Sequence, residues 1–197
     1  MEHKIALAEG SLVLLRPLER ADLNERYLSW LNDSEVTRYT EIGTFPSTAE
    51  DLENYYRSIM GSKNDVMLAV VEKKSGRHIG NVKLGPIHWI HRRATFGILI
   101  GEKECWGKGI GLEATRLMVS YGFDRLNLRR IDLGVFAEHE AAVRCYEKAG
   151  FKVEGRMRED LFLDGKYRDR LWMGLLRSDH KPAATSEKTG AKAGKRK

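Results

Sequence analysis

The chain has 197 residues, of which 42% are hydrophobic and 9% aromatic, and its formal net charge is +6. This length suggests one compact domain, and the apolar fraction is large enough to build a core. The longest uninterrupted apolar run, Val66–Val71, is far shorter than the ~20 residues that cross a membrane. The chain opens on Met-Glu-His-Lys without an apolar stretch, and its two cysteines form no C-x-x-C pair and no zinc-binding set. These features predict a cytoplasmic protein with no membrane partner and no metal.

The positive charge is concentrated at the C-terminus. Residues 181–197 contain six basic side chains and one acid, so they supply +5 of the +6 and leave +1 for the rest of the chain. Nucleic-acid binding by the folded body is therefore not indicated. The segment is also poor in large apolar groups, so we expect a single domain over residues 1–178 and a disordered basic tail over residues 179–197. A solubility segment is the simplest interpretation of the tail, and an RNA- or ribosome-contacting arm is the alternative.

Hydrophobic periodicity predicts the following elements in chain order. Strands are expected at 12–16, 66–72, 77–84, 92–101, 131–136, 151–157 and 167–176, and helices at 21–32, 48–61, 110–126 and 140–149. Ser47 or Thr48 begins the second helix with an acid three residues later, the pattern of a capping box. The turn Asp164-Gly165 between the last two strands is a strong hairpin signal. The order β-α-α-β-β-β-α-β-α-β-β predicts a mixed α+β domain with one parallel crossover.

A glycine-rich segment, Gly107-Lys-Gly-Ile-Gly111, lies where a predicted strand ends and a helix begins. Glycines at such a junction allow the backbone to approach a ligand closely. The free N–H groups of the first helical turn, together with the helix dipole, favour a bound phosphate. Lys108 adds a cation beside them, so the segment predicts a phosphate or pyrophosphate site.

This segment has three alternative interpretations. It lacks the spacing of a Walker A loop. Gly109–Ala114 matches the dinucleotide pattern G-x-G-x-x-A, but four strands precede it and repeated βα units do not follow. The glycines can also simply permit tight packing of the strand against the helix.

Several motifs in order resemble the GCN5-related N-acetyltransferases. Trp106–Gly111 aligns with the family motif (Gln/Arg)-x-x-Gly-x-(Gly/Ala), with Trp in place of the first residue. Leu15–Arg20 is similar to a branch that includes ribosomal-protein N-terminal and spermidine acetyltransferases, and Ile90–Arg93 is similar to the spermidine enzymes. Trp30–Val36 resembles amino-sugar acetyltransferases. Tyr146–Phe151 matches the second signature of the family. The resemblance covers about residues 12–176.

The resemblance implies the acyl-CoA N-acyltransferase fold. That fold has a mostly antiparallel sheet of about seven strands, splayed between strands four and five by a bulge in strand four, and about four helices. It also implies acetyl-CoA as cosubstrate, with pantetheine pairing to the main chain of Ile98, Leu99 and Ile100, where one N–H polarises the acetyl carbonyl. The cofactor pyrophosphate is then expected on the backbone of Trp106, Gly107, Lys108, Gly109, Ile110 and Gly111.

The resemblance also assigns chemistry to α-helical residues near the second signature. Tyr146 matches the tyrosine that protonates the departing thiolate. It also lies on the apolar stripe of its helix, so a core tyrosine is the alternative. Cys145 is expected to be a core thiol. His139 stands where the family usually has an Asn that helps to hold the cofactor, and imidazole can donate a similar hydrogen bond.

A general base and the acceptor are less defined by the sequence. Thr95 stands where relatives often carry a Glu that acts as base, and Glu41, His88 and His91 are candidate replacements. The alternatives are deprotonation through water and an acceptor amine that arrives neutral. The acceptor pocket is expected to come from the segment Asn32–Pro46, the second helix and the last hairpin, with Tyr39, Glu41 and Phe45 as the local candidates.

The acceptor itself is left open between an amino sugar, a polyamine and a protein N-terminus, and a homodimer is possible. The competing class is a non-catalytic protein on the same fold, associated with RNA or the ribosome through its tail. The fold by itself does not choose among these acceptors.

Overall fold

The computed structural model describes residues 6–180. Apart from its first two residues, the basic tail predicted from the sequence lies outside the described residues. Those two residues contact the domain. Lys152 Nζ lies 2.6 Å from the Asp179 carboxylate, and the His180 ring lies 5.1 Å from the ring of Phe123.

Within residues 6–180 the chain forms eight strands and four α-helices. The strands are β1 (Ala8–Glu9), β2 (Val13–Pro17), β3 (Val66–Glu72), β4 (His78–His88), β5 (Arg93–Ile100), β6 (Arg130–Phe136), β7 (Lys152–Leu163) and β8 (Lys166–Leu176). The helices are α1 (Glu25–Asn32), α2 (Ala49–Gly61), α3 (Ile110–Asp124) and α4 (Glu140–Ala149). The predicted number of helices is confirmed, and the strand β1 of two residues is added to the seven expected strands.

The strands form one sheet in the order β1-β2-β3-β4-β5-β6-β8-β7. Every neighbouring pair is antiparallel except β5 and β6, which run parallel. Alternation along β3 directs Leu68 and Val70 to the core beneath α3 and α4, and Met67 and Ala69 to a second core beneath α1 and α2. The sheet is therefore covered by helices on both faces.

The sheet opens between β5 and β6. Although β5 extends to Ile100, it pairs with β6 only from Arg93 to Thr95. The rest of β6 pairs with β8 alone. Beyond Thr95 the two strands therefore diverge and leave a cleft, which is the splay expected from the family resemblance.

Two local features differ from the sequence prediction. The register between β4 and β5 shifts between Leu84 and Ile87, so the extra residue is in β4. The family resemblance implied a bulge in the predicted strand four, which corresponds to β5. The first predicted helix is interrupted, because the Asn24 side chain accepts the amides of Arg26 and Tyr27 and begins α1 there. The residues before it form a short 3₁₀ turn.

Candidate active site

The glycine-rich loop presents a row of free amides at the start of α3. Gly107 and Gly109 have φ values of +73° and +80°, a conformation that favours glycine. Gly109 begins α3 without a side-chain cap. Among residues 6–180, no acceptor receives the amides of residues 107–111, whereas the Trp106 amide donates to the Lys103 carbonyl at 3.0 Å. A Cβ added at Gly111 would meet nothing within 4 Å, so the loop is open on its outer side.

Two side chains fix the position of this loop. The Trp106 indole Nε1 donates to the Ile100 carbonyl at 2.8 Å and so joins the loop to the end of β5. The Glu113 carboxylate, in the first turn of α3, accepts the amides of Ser11, Leu12 and Val13 at 2.7–2.8 Å. The start of α3 is thereby tied to both β5 and β2. The sequence predicted a cofactor contact for the Trp106 backbone, whose amide instead donates to Lys103. It gave the indole no role, because the hydrogen bond of the indole depends on the folded loop.

The pairing of β5 determines which of its backbone groups face the cleft. The Gly101 amide donates to the Ile79 carbonyl at 2.9 Å. Because hydrogen-bonding direction alternates along an antiparallel strand, the main chain of Leu99 also faces β4. The backbone groups of Ile98 and Ile100 therefore face the side where β6 has diverged. Of the three residues predicted to pair with pantetheine, two present their main chain to the cleft.

Tyr146 lies on α4 beside the opening of the sheet. Its ring centroid is 6.1 Å from that of Phe96 and 6.0 Å from that of Phe151, with edge-on geometry in both cases. Its hydroxyl makes no hydrogen bond with another residue in the described range. Burial raises the pKa of Tyr146, so the phenol keeps its proton at neutral pH. Burial also raises the pKa of the neighbouring Cys145 thiol, which disfavours a nucleophilic thiolate.

The other predicted site residues do not form one cluster. The His139 ring stacks on Tyr39 at 4.2 Å between centroids, and Tyr39 also contacts Phe136 at the end of β6. Burial lowers the pKa of His139, so its imidazole is neutral near pH 7. The Glu41 carboxylate is 91% exposed, with Arg170 at 4.0 Å. Phe45 is 78% exposed.

A cavity of about 410 Å³ lies between α1, α2 and the strands β3 to β5. Of the segment predicted to bind the acceptor, it includes Thr40 and Ile42, and it does not include the three residues chosen from the sequence. The remaining lining residues are Tyr27, Leu31, Ser47, Asp51, Leu52, Tyr55, Met67, Asn81, Val82, Lys83, Gly97, Ile98 and Leu99. The cavity therefore reaches the same part of β5 that borders the cleft.

The charged groups on the cavity wall are engaged by neighbouring residues. The Asp51 carboxylate accepts the Thr48 hydroxyl at 2.6 Å and the Thr48 amide at 2.9 Å. The hydroxyl contact is the main reason that the pKa of Asp51 is lowered, so this carboxylate is ionised at neutral pH. Lys83 Nζ lies 2.9 Å from Asp65. The wall thus combines hydrocarbon surface with one hydrogen-bonded carboxylate, Asp51, and one lysine, Lys83, whose charge is neutralised by Asp65.

Sequence reasoning missed a buried carboxylate at the apex of the cleft. The Thr95 hydroxyl donates to Asp132 Oδ1 at 3.0 Å, and Asp132 is only 2% exposed. Arg130 Nε lies 3.3 Å and Arg93 3.8 Å from its other oxygen. The sequence signal was an acid between two apolar residues in a predicted strand, but only strand pairing places it beside Thr95.

Two of the candidate bases, His88 and His91, lie at the turn between β4 and β5. Both are exposed, and their rings are 6.4 Å apart. Residues 6–180 contain no group of three or more His, Cys, Asp or Glu side chains arranged to hold a metal ion. In the same range, no helix is both long and apolar enough to cross a membrane.

A sheet that opens between two parallel strands, with free helix-start amides beside the opening, is the architecture of acyl-CoA-dependent N-acyltransferases. Comparison with known families agrees, because residues 13–152 match the family model described as an acetyltransferase (GNAT) domain. The chain belongs to this family. It is an acetyl-CoA-dependent N-acetyltransferase that transfers the acetyl group to an amine.

Individual relatives cover most of the domain. The spermidine N(1)-acetyltransferase of Escherichia coli K12 is 36% identical over 169 residues, which is 85% of this chain and 88% of that protein. A putative ribosomal N-acetyltransferase of Bacillus subtilis is 31% identical over 84% of this chain and 90% of its own length. The crystal structure of spermidine N-acetyltransferase from Vibrio cholerae with CoA and spermine superposes with a TM-score of 0.79 at 32% identity. The superposition covers 86% of this chain and 98% of the Vibrio cholerae chain.

Proposed function

We propose that the acceptor is an aliphatic polyamine of the spermidine type and that its alkyl chain occupies the cavity beside β5. The cavity carries this proposal, because its walls are mainly hydrocarbon and it reaches the main chain of residues 97–99. Asp51 supplies a negative charge, and Asp65 neutralises Lys83, so a cationic amine is not repelled. The similarity to spermidine acetyltransferases supports the same acceptor class.

For acetyl-CoA, the free amides of residues 107–111 fit a pyrophosphate. They are unpaired within the described part of the chain, they stand at the start of a helix, and a Cβ at Gly111 would meet nothing. Lys108 adds an exposed cation there. We assign the pantetheine contacts to the main chain of Ile98 and Ile100, and we assign Leu99 to the cavity wall, since its backbone faces β4. His139 remains a candidate contact next to Tyr39.

Acetyl-CoA supplies an activated thioester, and the amine attacks it directly, so that a C–N bond forms as the C–S bond breaks. The N–H of Ile98 is free to stabilise the developing negative charge on the acetyl oxygen. Tyr146 then donates its proton to the departing thiolate sulfur. The raised pKa keeps this proton available, and the hydroxyl has no competing partner among residues 6–180.

The proton that leaves the amine has no dedicated base in this proposal. Among residues 6–180, Asp51 is the only acid on the cavity wall and is held by Thr48, and no histidine of this range lines the cavity. His88 and His91 are exposed at the distant end of β5. We therefore propose that the proton leaves through water, or that the amine enters in its neutral form.

The proposal is tested by measuring free thiol release from acetyl-CoA with spermidine, glucosamine and a short peptide with a free N-terminus. We expect spermidine to give the highest kcat/KM. Heat-inactivated enzyme controls for spontaneous hydrolysis, and mass spectrometry identifies the acetylated product. Release of CoA with glucosamine or the peptide but not with spermidine would refute the polyamine assignment.

A cytoplasmic location, where acetyl-CoA is available, and assembly into a homo-oligomer are also part of the proposal. One solved spermidine N-acetyltransferase from Vibrio cholerae is described as dodecameric, and it shares 34% identity with this chain at a TM-score of 0.73. Exposed aromatic side chains at the tip of the β7–β8 hairpin, Phe162 at 64% and Tyr167 at 67%, support a subunit contact there. Light scattering after size-exclusion chromatography will measure the mass, and a monomer would refute the assembly.

A further inference from the structure

Four buried polar side chains form a chain beneath α1 that ends at the cavity. Arg16 makes two hydrogen bonds of 2.7 Å with the Asp22 carboxylate. His78 Nδ1 lies 3.6 Å from Asp22 Oδ1, and His78 Nε2 lies 3.0 Å from the Asn81 side chain. All four residues are at most 6% exposed. Burial of four polar side chains lowers stability unless each has hydrogen-bond partners, so the presence of this cluster beneath α1 requires an explanation.

Two of these side chains are incompletely satisfied. Arg16 Nε has no hydrogen-bond partner within residues 6–180, but Arg16 does not line the cavity. Asn81 is 3% exposed and lines the cavity, yet one end of its carboxamide has no hydrogen-bond partner within residues 6–180. The other end is occupied by His78. A buried amide group without a partner costs ~1–3 kcal/mol. Because Asn81 borders the cavity, a molecule bound there is able to supply the missing partner.

The histidine determines which end of the carboxamide is free. Burial lowers the pKa of His78 against the opposing effect of Asp22, so the ring is neutral and carries one N–H. That hydrogen is favoured on Nδ1, because a bare nitrogen lone pair there would face the Asp22 carboxylate. Nε2 is then an acceptor and requires the NH₂ of Asn81. The two ends of a carboxamide exchange by rotation, so the carbonyl oxygen becomes the free end.

We propose that Asn81 is a recognition residue for the acceptor, with its carbonyl oxygen accepting a hydrogen bond from an N–H of the amine, and that His78 and Asp22 are positioning residues for it. This inference rests on the proposed function, because it assumes that the amine enters this cavity. Asp51 and Lys83 already have protein partners, Thr48 and Asp65. Asn81 supplies a neutral hydrogen-bond acceptor for the amine on the same cavity wall. This role of Asn81 also explains why an ion pair and a histidine are buried beneath a largely apolar wall.

The first test replaces Asn81 with Leu, which keeps the size but removes the amide. We expect the KM for spermidine to rise ~10- to 100-fold, as for the loss of a hydrogen bond to a charged group. The KM for acetyl-CoA and the affinity for CoA measured by calorimetry should not change. Ser120→Ala is the matched control. Ser120 lies on α3, and the substitution removes a hydrogen-bonding partner of another histidine, His180. An unchanged KM for spermidine in Asn81→Leu would overturn the inference.

The second test addresses positioning. His78→Phe keeps a ring against Tyr27 and Trp30, 5.7 and 5.2 Å away, but removes both nitrogens. It should raise the KM for spermidine and leave the KM for acetyl-CoA unchanged, and His78→Gln should recover part of the loss. A variant that only melts earlier, with wild-type KM values, would show that His78 is structural. Failure of wild-type enzyme to acetylate spermidine would instead refute the proposed function.

Discussion

Replacing Tyr146 with Phe separates a catalytic hydroxyl from a packing side chain. The ring keeps its contacts with Phe96 and Phe151 at 6.1 and 6.0 Å. Since the hydroxyl makes no hydrogen bond with another described residue, no protein–protein bond is lost. We expect the free energy of unfolding to change by less than ~1 kcal/mol, the value of one typical hydrogen bond.

The expected effect on catalysis is much larger. A positioned general acid contributes ~10²–10⁴ in rate, which corresponds to about 3–5 kcal/mol of transition-state stabilisation. Because the proton is transferred as the C–S bond breaks, kcat and kcat/KM should fall together, with little change in the KM for acetyl-CoA. In the wild type, the raised pKa of Tyr146 should keep kcat from falling up to about pH 10, the ordinary pKa of a tyrosine.

The assay is continuous thiol detection with spermidine, combined with thermal unfolding of each variant. Tyr121→Phe is the matched control, because Tyr121 is a partly buried tyrosine on the neighbouring helix α3. It should keep wild-type kcat. If Tyr146→Phe retains wild-type kcat and melts earlier, the hydroxyl serves stability and the catalytic assignment is wrong.

Four further predictions concern the loop, the buried ion pair and the tail. Gly109→Ala, which forces a side chain into φ +80°, should cost ~1 kcal/mol of stability and weaken CoA binding measured by calorimetry. Trp106→Phe removes the hydrogen bond to β5 and should raise the Kd for CoA, and an unchanged Kd would exclude this role. Burial raises the pKa of Asp22, but the hydrogen bonds from Arg16 and the Glu19 amide, together with the neighbouring positive charge, outweigh burial, and the net shift of this pKa is downward. The ion pair therefore contributes stability above the unfolded pKa of about 3.9 and loses it as pH falls through the folded value, which urea titrations between pH 7 and 2 will show. Deletion of residues 181–197 should leave kcat for spermidine intact, and a large loss would show that the tail contributes to the site.

The sequence determined the local elements and the position of the glycine-rich loop that we propose for the cofactor, because both depend on short-range patterns. The capping box of Thr48 and Asp51 sets the start of α2. Glycines that adopt positive φ, at residues 107 and 109, mark a tight loop before a helix. Tyr146 was identified through the motif around it rather than through periodicity, since its apolar stripe fits a core residue equally well.

Only the tertiary structure shows the cavity that we propose for the acceptor. The cavity joins Tyr27 on α1, Asn81 on β4 and Leu99 on β5, which meet through strand register and helix packing over long sequence separations. The register of the β4–β5 hydrogen bonds points the main chain of Leu99 towards β4 and away from the cleft. A shift of this register by one residue would point the main chain of Leu99 into the cleft instead. The parallel pairing of β5 with β6 likewise places Asp132 beside Thr95. Local residue patterns carry no information on the register of such pairings, because register is fixed by the packing of the whole sheet.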